Sequence, residues 1–250
     1  MCLILFAWKK HPDYDLIVSA NRDEFFNRPT QTAHVWDGQP DLIAGKDLTA
    51  GGTWLGITKT GKFAALTNYR DPSNINPKAP SRGHLTKDYL TQDISPQDYL
   101  DRIQKENLPF NGFNLLIGDN DSLWYYNSIN HQITSLPPGV YGLSNALLNE
   151  PWPKVLIGQE NLKKLIEQKD ISTNQLLQIV QNKSLAADDQ LPKTGIPIDW
   201  ERALSAMYIT KENYGTRCST ALLKKKDKFT FKEWSHSHLG QKEGQIEFIL

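Results

Sequence analysis

Short, nearly continuous apolar runs alternate along the chain with polar segments rich in Gly, Pro, Asn and Asp. Residues 3–8 and 16–20 are two such runs, and the segment between them holds His11-Pro12-Asp13. The pattern predicts a hairpin whose strands are buried on both faces. Residues 54–57 and 63–67 predict a second hairpin about Lys59-Thr60-Gly61. Residues 111–118, 122–127 and 132–135 predict a meander with Asp119-Asn120-Asp121 at one turn. Strands are expected again at 207–210, 220–225 and 228–234, with an edge strand at 246–250. Helical spacing appears in two places. Residues 82–89 and 96–106 form one pair, the second opened by Ser95 as N-cap and Pro96 in the first turn. Residues 153–169 and 173–182 form the other, with Leu176, Leu177 and Val180 on one stripe. The Pro- and Gly-containing stretch 191–198 reads as a surface loop. Antiparallel hairpins with helix pairs inserted between them predict sheet layers covered by helices.

Composition narrows the function more than the fold. The 250 residues are 39% hydrophobic, enough for a sizeable core without disulfides or metals. Lys+Arg and Asp+Glu are 28 each, so the net charge is +0. That balance argues against a partner held by bulk electrostatics, whether nucleic acid or a membrane surface. No apolar run approaches the ~18 residues of a membrane span. Two cysteines, Cys2 and Cys218, with no Cys-x-x-Cys, suit a reducing compartment, and a cytoplasmic location is expected. Of six histidines only His236 and His238 are close, and with no third ligand beside them no metal site is expected.

The candidate chemistry begins at the second residue. A small side chain after Met1 permits removal of the initiator methionine, which would leave a thiol and a free α-amine on Cys2. The amine (pKa ~7.7–8.0) can act as base toward its own thiol (pKa ~8.5). The plain alternative is a small apolar residue starting a buried strand. Asn21-Arg22-Asp23-Glu24 follows the second apolar run and so would end the strand beside Cys2. An arginine there favours thiolate, and a carboxylate holds an ammonium. Strand alternation puts Asn21 and Asp23 on one face and Arg22 and Glu24 on the other. The run Gly51-Gly52-Thr53-Trp54 could line a pocket, and Arg82 before a helix could contact an anion. Asn68 and Asn145, each ending an apolar run, could offer amides to an oxyanion or simply form turns. Tyr214-Gly215-Thr216-Arg217 is equally ambiguous.

Taken in order, Met1-Cys2, Asn21-Arg22-Asp23-Glu24, residues 51–56, 65–69, 111–115, 141–147 and 214–217 resemble the transport and Golgi organisation 2 family, also called the NRDE family. The resemblance runs over the whole chain and implies one domain, 1–250. It implies an α+β fold, a four-layer αββα sandwich of antiparallel sheets of the N-terminal-nucleophile hydrolase type. Bile-salt hydrolases and penicillin V acylases are the similar enzymes. Through them Cys2 is expected as nucleophile and Asp23 as the carboxylate holding its amine. Asn68 and Asn145 are expected at the oxyanion and substrate, and Arg217 as a late arginine. Those enzymes carry Arg-x-x-Asp, whereas Arg22 and Asp23 are adjacent here, which puts the arginine's role in question. Asn21, Glu24, Gly52, Trp54 and Arg82 are the expected substrate contacts. The function implied is Cys-dependent hydrolysis of an amide or acyl thioester, with no cofactor required and a small-molecule or acyl ligand as partner. The alternative is a non-catalytic carrier of haem or another apolar ligand, with Trp8, Trp36, Trp54 and Trp152 lining the pocket. Family members have been linked to haem trafficking and lipid metabolism.

Overall fold

The structure is a computed structural model that describes residues 2–250. Two antiparallel sheets face each other. The first has the strand order β10-β1-β2-β11-β12-β13. Its members are β1 (Cys2–Trp8), β2 (Leu16–Phe25), β10 (Gly139–Leu143), β11 (Tyr214–Lys225), β12 (Lys228–His236) and β13 (Lys242–Ile249). The second runs β3-β4-β5-β6-β7-β8-β9. It comprises β3 (Thr30–Trp36), β4 (Gln39–Asp47), β5 (Leu55–Thr58), β6 (Phe63–Asn68), β7 (Phe113–Gly118), β8 (Leu123–Asn127) and β9 (Gln132–Ser135).

Alternation along β1 explains the layering. Ile4, Phe6 and Trp8 point between the sheets, where they meet Ile43, Ile57, Phe63 and Leu116. Leu3, Leu5 and Ala7 point outward under α3 (Pro153–Ile166) and α4 (Thr173–Ile179). The outer face of the second sheet is covered by α1 (Gly83–Thr91) and α2 (Pro96–Glu106) through Leu85, Tyr89, Tyr99 and Ile103. The result is the expected four-layer αββα sandwich, both faces of the central strands being apolar because both are covered. α3 approaches β1 closely: a Cβ at Gly158 would lie 2.5 Å from Leu5 Cδ1. Ser172 opens α4 with a capping box to Gln175.

Four segments depart from the sequence reading. β3 and β4 were not expected, because two register shifts between them break the alternation that marks a strand. β10 was hidden by two glycines in five residues. α5 (Ile198–Ser205) begins where a loop was expected to end. Residues 207–210 are not a strand and hold only the isolated bridge Thr210↔Gly215. Their backbone groups are taken elsewhere: Tyr208 N donates to Asn182 O, and Ile209 N to Thr216 Oγ1. β11 instead starts at Tyr214, so the polar stretch before residue 220 is a strand.

Candidate active site

The start of β1 and the end of β2 pair so that Cys2 lies directly opposite Arg22, and Leu3 opposite Asn21. β11 pairs along the other side of β2, placing Thr216 opposite Asp23 and, past a bulge, Cys218 opposite Arg22. Cys2, Arg22 and Cys218 therefore form one row across three strands. All three line a cavity of ≈ 490 Å³ between the two sheets. Arg22 thus does face the thiol, although its spacing from Asp23 differs from that of the hydrolases.

The cavity gathers nine of the eleven expected residues: Cys2, Arg22, Asp23, Glu24, Gly52, Trp54, Asn68, Arg82 and Arg217. Asn21 is not among them. Its Nδ2 donates to Val180 O at 2.7 Å and Met207 O at 2.9 Å, and its Oδ1 accepts from Ser219 Oγ at 2.6 Å. The substrate role expected of Asn21 is corrected: alternation turns it toward the helices, where it ties α4 and the 207 segment to the sheet. Asn145 also lies behind the cavity. Its Nδ2 donates to Asn68 O at 2.8 Å, and Ser144 Oγ lies within reach of both Asn145 Oδ1 at 3.2 Å and Cys2 O at 3.0 Å. Asn145 thereby fixes the backbone of Asn68 and, through Ser144, the start of β1.

Burial and charge oppose each other at Cys2. Burial pushes the Cys2 thiol up, and the Arg22 guanidinium acts against that. Burial also raises Asp23, which is opposed by Lys154, by a 2.7 Å hydrogen bond from Thr216 Oγ1 and by Arg22. Tyr214 OH donates to the Asp23 carbonyl at 3.0 Å, which fixes the strand end.

One wall of the cavity is rich in arginine. Arg22 Nη2 lies 3.9 Å from Glu24 Oε2, and Glu24 also attracts Arg28, Arg82 and Arg217. Arg28 is paired with Asp47 at 2.7 Å. Arg217 Nη1 donates to the carbonyls of Phe25 at 3.0 Å and Arg28 at 2.8 Å, which braces the turn after β2. Arg82 Nη1 donates to Gly112 O at 2.9 Å. Gly52 packs backbone to backbone on Gly83 at the start of α1, where a Cβ would come within 2.5 Å of the Gly83 carbonyl carbon. Only glycine lets this wall close.

Three participants were missed in the sequence. Cys218 and Glu233 share a hydrogen bond on the cavity floor, and Lys154 is buried on the Asp23 side. Of the four tryptophans expected around the pocket, only Trp54 lines it. Trp8 packs between the sheets, Trp36 lies under α1, and Trp152 stacks with Arg70 at 4.6 Å. Among the described residues no group of three or more His, Cys, Asp and Glu side chains is placed to hold a metal. No helix among them is long and apolar enough to cross a membrane.

Comparison with known proteins places this geometry. The sequence family described as Transport and Golgi organisation 2 matches residues 1–237. The transport and Golgi organization 2 homolog of Mus musculus is 37% identical over 248 residues, which cover 89% of this chain and 88% of that protein. The Homo sapiens homolog is 36% identical over 246 residues, with the same coverage of 89% and 88%. Among solved structures, the C2A mutant of conjugated bile acid hydrolase from Clostridium perfringens is similar with a TM-score of 0.57 at 10% identity, over 100% of this chain and 92% of that one. A Caenorhabditis elegans ortholog of N-acylethanolamine-hydrolyzing acid amidase gives 0.53 at 10% identity, over 89% and 92%. The likeness to both is one of fold, the N-terminal-nucleophile hydrolase sandwich.

Proposed function

We propose, for a chain that belongs to the transport and Golgi organisation 2 family, a Cys2-dependent hydrolysis of an amide or acyl thioester in the cavity between the sheets. The observation that carries this reading is the row Cys2–Arg22 at the cavity floor with Asp23 adjoining it. Removal of Met1 leaves the Cys2 α-amine beside its thiol. The amine takes the thiol proton as Sγ bonds to the substrate carbonyl carbon, and Asp23 holds the resulting ammonium. The oxyanion develops toward Asn68, whose backbone Asn145 holds in place. The ammonium returns its proton to the leaving amine or thiol as the carbonyl bond to it breaks. Water, giving a proton to the same amine, then resolves the acyl-Cys2 to a free acid.

The arginine wall supports an acyl compound that carries an anionic group: Arg82 and Arg217 make no ion pair among the described residues, while Asp23, Glu24, Asp47, Glu233 and Glu243 also line the cavity. Haem as a ligand of the same cavity is the competing proposal. The charged wall, with Trp54 as its one tryptophan, gives a porphyrin little apolar surface to stack on. The test is intact mass followed by incubation with a panel of acidic N-acyl amides and acyl thioesters. Mature protein that lacks Met1, and an acyl adduct or free acid that disappears in Cys2→Ala, support the reading. Active protein that retains Met1, or turnover that survives Cys2→Ala, overturns it.

A further inference from the structure

Lys154 is 2% exposed, a rare position for a lysine without a partner. It stands in the first turn of α3, on the stripe that continues through Gly158, Leu162 and Leu165, all buried. Its Nζ has no hydrogen-bond partner among the described residues. A methionine would fill the same space without the cost of desolvating a charge, which is several kcal/mol for an ammonium. Packing therefore does not account for the charge.

The surroundings do. Asp23 on β2 attracts Lys154 more strongly than any other group, and Cys2 on β1 and Glu201 on α5 attract it too. Arg70, after β6, repels it, but Arg70 is bonded to Glu201 at 2.6 Å. Lys154, Arg70, Glu201 and Trp152 surround a cavity of about 10 Å³ on the helix side of the sheet. Glu201 is thus already engaged by Arg70 and by Thr194 Oγ1 at 2.5 Å. Asp23, which accepts from Thr216 Oγ1 and lies near the Tyr214 and Tyr208 rings, is the carboxylate that attracts the ammonium most. Arg22 acts on Asp23 from the cavity side.

We propose that Lys154 is a positioning residue for the nucleophile: its buried ammonium offsets the charge of the Asp23 carboxylate and so favours the neutral amine and the thiolate of Cys2. The inference rests on the reading of Cys2 as an N-terminal nucleophile. A cation on the far side of Asp23 opposes protonation of the α-amine and stabilises negative charge on sulfur, so both shifts act in one direction. Burial brings Lys154 itself down to about 8, so this support is present at neutral pH and fades above it.

The test measures the rate of Cys2 alkylation by iodoacetamide from pH 6 to 10, followed by mass spectrometry of the N-terminal peptide. Lys154→Met should move the midpoint of the profile up by about one pH unit, a roughly tenfold slower reaction at pH 7, with the rates converging near pH 10. Its melting temperature should stay the same or rise, because a buried unpaired charge has gone. An unchanged profile in folded Lys154→Met overturns the inference, and so does a lower melting temperature with no change in the profile. Lys154→Gln serves where the methionine variant does not fold, with the same outcomes. In an Asp23→Asn background Lys154 loses the main charge that keeps it protonated against burial, so the Lys154→Met effect should shrink to within about twofold, and a full effect there overturns the pairing with Asp23. Intact mass of the wild type separates the two readings: retained Met1 defeats the nucleophile itself, whereas a processed N-terminus with an unmoved profile defeats only the role of Lys154.

Discussion

Two cysteines flank one arginine on the same cavity floor, and their surroundings make them opposites. Cys2 is 8% exposed and Cys218 7%, so access does not distinguish them. Burial raises both thiols. The difference lies in what stands next to each. Arg22 acts to lower both thiols and Asp23 to raise Cys2, but Cys2 on processing would also carry its own amine. Cys218 lies against the buried Glu233 carboxyl, which adds to burial and pushes it well above the usual thiol range. Cys218 also lies inside β11, bonded into ladders on both sides, whereas Cys2 starts its strand. On the proposed reading Cys2, at the start of its strand, serves chemistry, and Cys218, inside a sheet beside a carboxyl, serves packing.

The harshest test of this contrast is removal of each thiol. Cys2→Ala is expected to abolish turnover of a responsive acyl substrate, while Cys218→Ala keeps it within a few-fold. Steady-state assays on both folded variants decide it, and equal losses would erase the distinction. Next in size is Asn68→Ala, which should lower kcat by about 100- to 1000-fold with an unchanged melting temperature, as loss of one oxyanion donor does. A well-folded variant at full rate would remove Asn68 from the mechanism. Smaller again is a ratio of rates in the untouched protein. At pH 7.5 Cys2 should alkylate at least about tenfold faster than Cys218, since one unit of thiol pKa is worth a factor of ten in thiolate. Peptide mapping after timed iodoacetamide exposure reads it, and similar rates would mean that burial outweighs charge at this floor.

Much of this site was legible because it follows strand alternation. Apolar runs at residues 3–8 and 16–20 predicted β1 and β2, and their adjacency brought Asn21–Glu24 to Cys2. Alternation even separated Arg22 and Glu24 from Asn21 and Asp23. It could not tell which pair faced the cavity, because both faces of the sheet are covered. The sequence also carries signals for Lys154 and Glu233. Lys154 lies four residues before Gly158 and eight before Leu162, on the buried stripe of α3. Glu233 alternates with Phe229 and Phe231 on the inner face of β12. A charge at a position whose periodic neighbours are all buried is a stronger pointer than a charge at a strand end. β3 and β4 were illegible for the opposite reason: their bulges erase the period on which recognition depends.

The finest test acts on the partner of the silent cysteine. Glu233 Oε1 accepts from Ala33 N of β3 at 2.8 Å, so the side chain also joins the two sheets. Glu233→Gln keeps an oxygen for that bond and replaces the oxygen facing Cys218 and Thr220 with an amide donor. The loss of stability should therefore stay within about 1–2 kcal/mol. The thiol loses a negative neighbour and gains an N–H that can stabilise thiolate, so Cys218 should alkylate a few-fold faster while Cys2 is unchanged. The pH dependence gives the effect a sign. Burial raises Glu233, so at low pH it carries its proton and the substitution changes no charge. As pH rises through that raised value the wild-type carboxylate ionises and opposes the thiolate, and the lead of the variant grows. A ratio of Cys218 rates, variant over wild type, that climbs with pH is the expected outcome. A flat ratio of one would show that Cys218 is silent because the sheet encloses it, and that charge distinguishes the two cysteines only at Cys2.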